Sequence, residues 1–473
     1  MRKLINGLFF LFMSVTLSAQ QEDSLFIRKI ADEILINSKA YDNLHYLTKQ
    51  IGGRLSGSPQ MVKAEQWGLK TMQESGADKA WLQECMVPHW VRGGQDKAEA
   101  KYNAAVAGSR NILAAKKNLD IAALGNSMGT GKRGVSAEVI EVKSFDDLES
   151  KKDQVKGKIV FYNYKFKETF IRTFQSYGDA VQYRGAGPSR AAKYGAVAVI
   201  VRSMSHSVDN NPHTGATRYD SSYAKIPAVA IGLRDADWLD EQLQKSSVNV
   251  SMTTNAQFLP DTIGDNVIGE LTGSEFPDQI ITVGGHLDSW DLAEGAHDDG
   301  TGVVHTMEIL RAFKALGYKP KHTIRFVLFM NEENGLRGGT KYADEAKAKN
   351  ARPDDSVGRE KHIFALESDA GGFTPRGFSF GGSPEQLKKA QGWIPLLYPY
   401  GVYEIENGGG GSDIGPLNRN FKTPVAELSP DSQRYFDYHH ARNDVFENVN
   451  KRELELGAIN MAAFIYLVDK YGL

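Results

Sequence analysis

One cysteine, Cys85, stands in a chain of 473 residues. No intrachain disulfide can form, and a cysteine-built metal cage is excluded. Any metal must therefore be held by histidines and carboxylates. A charge excess is also missing: 56 Lys and Arg against 58 Asp and Glu leave a net charge of -2. Nothing in that balance steers the chain to nucleic acid or to an anionic membrane. After the first twenty residues there is no run of 18 apolar side chains, so the mature chain is expected to carry no membrane anchor. Internal repeats are absent. What remains is an ordinary soluble composition, 41% hydrophobic and 24% charged, in a length that suggests two or three domains.

The N-terminus differs from the rest. Arg2 and Lys3 precede an apolar run from Leu4 to Leu17, then Ser18-Ala19-Gln20. This charged, apolar, small-residue order reads as a secretory signal over residues 1–19, cut after Ala19. A buried N-terminal helix is the plainer alternative, but it does not explain the two leading charges. The expected localisation is secreted or periplasmic. Residues 20–119 read as the N-terminal part of a catalytic domain. Between 120 and 258 short strand candidates crowd together (135–142, 157–164, 196–203, 225–232), which suggests an inserted β-rich module. From 259 to 473 strands and helices alternate: IITVGG (280–285), a helix over 301–316, TIRFVLFM (323–330), a helix over 336–349, HIFALE (362–367), TPVAEL (423–428) and a long apolar-faced C-terminal helix. That alternation predicts an α/β fold, a mixed and mainly parallel sheet flanked by helices.

In such sheets, sites form beyond the C-terminal strand ends. After IITVGG come His286, Asp288 and then Asp298-Asp299. After TIRFVLFM come Glu332 and Glu333. After HIFALE comes Asp369. After TPVAEL a loop leads to His439, His440 and Asp444. Each alone has an ordinary explanation: Asp298 to Thr301 could cap a helix, Glu332-Glu333 could be solvated charge, Asp369 a turn residue, and His440 a surface histidine. Together, acids delivered to one sheet edge would repel one another unless a cation neutralises them. Histidine with Asp and Glu suits zinc, and an acid-rich set suits two divalent ions. The segment 126–133, NSMGTGKR, imitates a phosphate-binding loop, but it lacks the first glycine and has Arg133 where a hydroxyl would hold magnesium.

The motifs GGHLDSWD, GAHDDGTG, NEENG, ESDAGG and YHHARND resemble the zinc-dependent aminopeptidase family that also includes glutamate carboxypeptidases (peptidase family twenty-eight). RLSGS near 54, PHWVRGG near 88, GKIVFYN near 157 and PHTG near 212 extend the resemblance over nearly the whole mature chain. It implies a zinc-exopeptidase (phosphorylase/hydrolase-like) fold with two Zn2+ per subunit, a protease-associated domain as the inserted module, and a homodimer. His286 and Asp369 would then hold one zinc, Glu333 and His440 the other, and Asp298 would bridge them through a cis bond to Asp299. Asp288 would orient His286, and Glu332 would be the general base. His440 is preferred to His439 because it matches the family's His-x-x-x-Asp pattern with Asp444. His297, where a relative has a thioether, is either a further ligand or part of the pocket wall. Ser412 and Asp413 in a glycine-rich loop, with Arg434, Tyr435 and Tyr438 nearby, are candidates to bind substrate, each equally open to a structural role. The implied substrates are dipeptides and short peptides with free termini. A broad aminopeptidase is the alternative, and a one-zinc glutaminyl cyclase or an inactive receptor module lies further off.

Overall fold

The structure, a computed structural model, describes residues 21–105, 112–350 and 359–473. The expected signal segment lies outside the described residues. Eight strands form the sheet that carries the motifs, in the order Lys79–Val91, Gln257–Leu271, His322–Phe329, Phe276–His286, Lys361–Glu367, Val425–Pro430, Pro375–Gly381 and Glu404–Asn407. The four central strands, from His322–Phe329 to Val425–Pro430, are mutually parallel. Antiparallel pairs join them to the flanking strands on both sides. The α/β class and the mixed sheet are as expected. The sequence pattern assigns no strand to 375–381, where Pro and Gly weaken the apolar signal, or to 404–407, a four-residue edge strand with one apolar residue.

Parallel central strands are covered on both faces, and their side chains show it: His322–Phe329 is buried at all but its first position. Alternate residues divide between two cores, as the strand period requires. Ile324, Phe326, Leu328, Phe364 and Leu366 face the helices Thr301–Ala315 and Lys451–Tyr471. Val327, Phe329 and Ala365 face Tyr342 and Leu417 on the opposite side. The C-terminal helix is anchored by Asn450, whose side chain accepts from the amides of Arg452 and Glu453. Its Phe464 packs against Phe378, Phe364 and Trp393 at ring distances of 4.5, 5.6 and 5.6 Å.

A second eight-stranded sheet runs Ile112–Leu119, Lys97–Ala105, Asn249–Thr253, Val135–Val142, Ile159–Tyr162, Ala198–Arg202, Ala228–Ile231 and Ile121–Ala123. Two of its strands thus precede residue 120, where the inserted module was expected to begin. In KAEAKYNAA the inward positions Ala98 and Ala100 carry so little apolar signal that charge dominates the pattern. The expected boundary at 258 falls two residues into the strand Gln257–Leu271 of the first sheet, counting 257 and 258. Among the described residues, no helix is long and apolar enough to cross a membrane.

Phe464→Ala should cost about 3–5 kcal/mol through the cavity it leaves. Urea denaturation followed by circular dichroism checks this, and an unmoved midpoint would refute the packing role.

Candidate metal centre

The parallel strands end at a common edge, and their following residues meet there. His286 closes its strand. Its Nε2 lies 3.2 Å from Asp298 Oδ1 and 3.4 Å from Asp369 Oδ1. On the other side of Asp298, His440 Nε2 lies 3.2 Å from Asp298 Oδ2 and 3.1 Å from Glu333 Oε2. The five residues singled out as metal ligands therefore form two His–carboxylate sets that share Asp298. Ligand atoms of His286, Asp298 and Asp369 fall within 4.8 Å of one another, as do those of Asp298, His439 and His440. His439 is the poorer match: its Nε2 stands 3.8 Å from Asp298, and its ring stacks on that of His440 at 3.5 Å.

The remaining acids have different tasks. The Asp298–Asp299 bond is cis. The Asp299 carboxylate accepts from the amides of His286 at 3.0 Å and Gly302 at 2.9 Å. Glycine is required at 302, because a Cβ there would lie 2.3 Å from Asp299 Oδ2 and 2.0 Å from the Ser368 carbonyl. Asp444 accepts from the amides of His297 and Asp298 at 2.7 and 3.2 Å. Asp288 adds a second task to the expected one of orienting His286. Its carboxylate accepts from the amides of Glu332 and Glu333 at 2.9 and 3.3 Å and stands 3.6 Å from His286 Nδ1. The backbone carbonyl of Asp288 is the nearer partner of that ring nitrogen, at 2.9 Å. Asp288 thus fixes the Glu332-Glu333 turn and orients His286 mainly through its main chain.

Glu333 Oε1, a buried oxygen, has no hydrogen-bond partner, and Asp298 Oδ2, also without a well-aligned hydrogen bond, faces only the imidazoles of His440 and His439. Buried carboxylate oxygens are normally satisfied, so these two fit cations as their missing partners. The electrostatics point the same way. Burial disfavours a charged His440 ring, but Glu333 and Asp298 outweigh it and lift His440 to about 10. His286 is likewise held well above its ordinary value against burial, chiefly by Asp369. Burial, reinforced by neighbouring carboxylates, pushes Glu332 up to about 8 and Glu333 to about 7. Without positive charge among them, these acids resist ionisation.

His297 is not placed to act as a ligand. Its Nε2 faces the Asn448 carbonyl at 3.1 Å, its Nδ1 accepts from the Gly372 amide at 3.2 Å, and its ring lies flat on Phe373 at 4.2 Å. Burial lowers it to about 4, so it is neutral. A cleft of about 1060 Å³ opens over the centre, reaching Asp298, Glu332, Glu333, Asp369 and His440. Ser412 and Tyr435 line it, whereas Asp413, Arg434 and Tyr438 do not. Asp413 is fully buried beneath the glycine-rich loop. Arg434 pairs with Glu453 at 3.2 Å, and Tyr438 stacks on His297 at 5.4 Å.

Two contributors carry no motif of their own. Arg54, with no exposed surface, donates to the carbonyls of Leu287, Glu294 and Gly295 and so ties the His286 and Asp298 loops together. Only the resemblance around RLSGS marks that position. Arg184, from the second sheet's module, reaches the cleft wall beside His440, 256 residues away in sequence. No spacing rule could have found it.

Asp444→Ala would leave the amides of His297 and Asp298 without acceptors and loosen the shared carboxylate. Affinity for divalent cations should fall about 10–100-fold, measured by competition with a chromophoric chelator. Unchanged affinity would refute the supporting role.

The family model described as Peptidase family M28 matches residues 266–465, which contain all five candidate ligands. Carboxypeptidase Q from Homo sapiens is 34% identical over 436 residues, covering 91% of this chain and 85% of that protein. Carboxypeptidase Q from Xenopus laevis is 36% identical over 408 residues, covering 86% and 81%. Among solved structures, a peptidase M28 precursor from Shewanella amazonensis aligns with a TM-score of 0.86 at 31% identity, over 95% of this chain and 97% of that one. BSAP, a zinc aminopeptidase from Bacillus subtilis, shares the fold with a TM-score of 0.61 at 20% identity, over 90% and 94%. With identity of this level along nearly its whole length, the chain belongs to peptidase family M28 and is a peptide hydrolase.

Proposed function

We propose that the protein is a two-zinc exopeptidase that hydrolyses dipeptides or short peptides with free termini. The observation that carries this reading is the sharing of Asp298 by two His–carboxylate sets, each including a histidine Nε2 within 3.4 Å of its carboxylate oxygens. His286 and Asp369 would hold one ion, Glu333 and His440 the other, with Asp298 common to both. Oxygen and imidazole donors without cysteine suit zinc. When bound, such a pair polarises the scissile carbonyl and makes a water acidic near neutral pH. Glu332, half-buried on the cleft wall, takes the proton from the attacking water and passes it to the leaving amine. Its ionised form, which a base needs, is favoured once positive charge sits beside it. The Asp288 carboxylate holds the Glu332 amide and keeps that side chain at the wall.

The relatives named carboxypeptidase Q support the part of this reading in which a free carboxyl terminus is recognised. A broad aminopeptidase is the second reading, favoured by Glu427 on the cleft wall, a carboxyl group beside the centre that would receive a free ammonium group. Comparing dipeptides with aminoacyl-anilides separates the two. A stoichiometry of one zinc would instead favour the glutaminyl cyclase chemistry. The second sheet is read as a protease-associated domain, the mature chain as a secreted or periplasmic homodimer. Sedimentation of the purified protein tests the dimer.

Glu332→Gln should keep its metal content while turnover falls about 10²–10⁴-fold. Near-normal activity would rule out the assigned base. A second test uses protons. Below a pKa of about 10 the His440 ring is charged in the protein alone, so a cation must displace its proton. Zinc titration near pH 7 should therefore release protons into a weakly buffered solution, and affinity should rise with pH. Binding without proton release would contradict the ligand set.

A further inference from the structure

His440 is gripped by the inserted module. The amide of Thr214 donates to the His440 carbonyl at 2.9 Å. The Thr214 carbonyl in turn lies 3.3 Å from His440 Nδ1. Arg184 Nη1 donates to that same carbonyl at 3.1 Å and stands 3.4 Å from Nδ1. A guanidinium can only donate. If Nδ1 accepted from Arg184, the ring proton would sit on Nε2 and remove the lone pair aimed at the centre. If Nδ1 donates to Thr214, Nε2 is left free toward Glu333 and Asp298. Arg184 favours the second arrangement by holding the carbonyl in place as a shared acceptor.

The clamp is itself braced. Arg184 Nη2 donates to the Tyr177 hydroxyl at 2.5 Å, and the Tyr177 ring meets His439 edge-on at 5.0 Å. Thr214 Oγ1 donates to the Ala123 carbonyl at 2.8 Å, and the Gly215 carbonyl accepts from the Gly125 amide at 3.0 Å. Gly215 has φ +128, and a Cβ there would lie 2.4 Å from the Arg184 guanidinium. The turn can approach Arg184 this closely only as glycine.

We propose that the Thr214–Gly215 turn and Arg184 are positioning residues for His440, and that they couple cation binding in the Glu333–His440 half of the centre to docking of the inserted module. The proposal rests on the two-cation reading above. Coupling is reciprocal: if the docked module favours the ion, the ion favours the docked module.

The test uses the full chain loaded with zinc. Wild-type stoichiometry by equilibrium dialysis is read first. Arg184→Met should then weaken one of two zinc ions about 10–100-fold and leave the other unchanged. Arg184→Lys, which keeps a donor for the Thr214 carbonyl, should recover part of that loss. Arg190→Met, a change in the same module at a side chain that lies over Phe145, should bind zinc as wild type does. Independently, zinc should slow amide hydrogen exchange across residues 212–216 of the wild-type protein. If Arg184→Met binds both ions with wild-type affinity, or if exchange at 212–216 ignores zinc, the clamp is overturned. A wild-type stoichiometry of one overturns the two-cation reading alone; the Arg184 and exchange comparisons then judge the clamp on the remaining ion.

Discussion

Six carboxylates, those of Asp288, Asp298, Asp299, Glu332, Glu333 and Asp369, converge at one end of a parallel sheet, and most of them are buried. Removing so much like charge from water is costly, and mutual repulsion adds to the cost. Four of these acids, together with Asp444, divide into two groups. Asp288, Asp299 and Asp444 accept pairs of backbone amides and serve as scaffold. Glu333 keeps a buried oxygen without a partner, and Asp298 turns its oxygens to imidazoles rather than to backbone amides. An acid whose lone pairs are spent on amides is poorly placed to bind a cation, and one left unsatisfied is prepared for it.

Much of the surrounding architecture serves this division. Arg54 spends its hydrogen-bond donors on three loop carbonyls, while its buried charge acts on Asp288, Asp444, Asp299 and Glu333 without bonding to them. Gly302 lets the helix start close enough for its amide to reach Asp299. His297 and its stack with Phe373 close the wall behind Asp298, and both its ring nitrogens are engaged. From the opposite side, the second sheet's module brings Arg184 and Thr214 against His440. The centre is thus assembled between two sheets that the chain builds in an interleaved order, with the first sheet's edge strand Lys79–Val91 made before the module and its core strands after.

The class of fold was legible because the central strands are dominated by apolar residues with few polar interruptions, a pattern that burial on both faces favours. The candidate ligands were legible because each follows such a run, directly or after a loop, and strand ends in parallel sheets share an edge. Strands built on alanine or broken by Gly and Pro were less so. Lys97–Ala105 buries only small side chains, and Pro375–Gly381 mixes Gly and Pro into its pattern. Of the substrate-binding candidates away from the cleft, Asp413 was proposed from its glycine-rich loop and the family resemblance, and Arg434 and Tyr438 from nearness in sequence to the site; the fold turned each of them elsewhere.

The sequence by itself determined which chemistry is available: one cysteine leaves only imidazole and carboxylate donors, and strand order gathers them at one edge. Only the tertiary structure decided how they are used. It paired His440 rather than His439 with Glu333, turned Asp288 toward backbone amides, engaged both nitrogens of His297, and set Arg184 beside a histidine 256 residues away. The reason is geometric. Residue type and local period set what a side chain can donate or accept, but hydrogen bonds and ligand sets need atoms about 3 Å apart, and distances between remote segments exist only once the chain has folded.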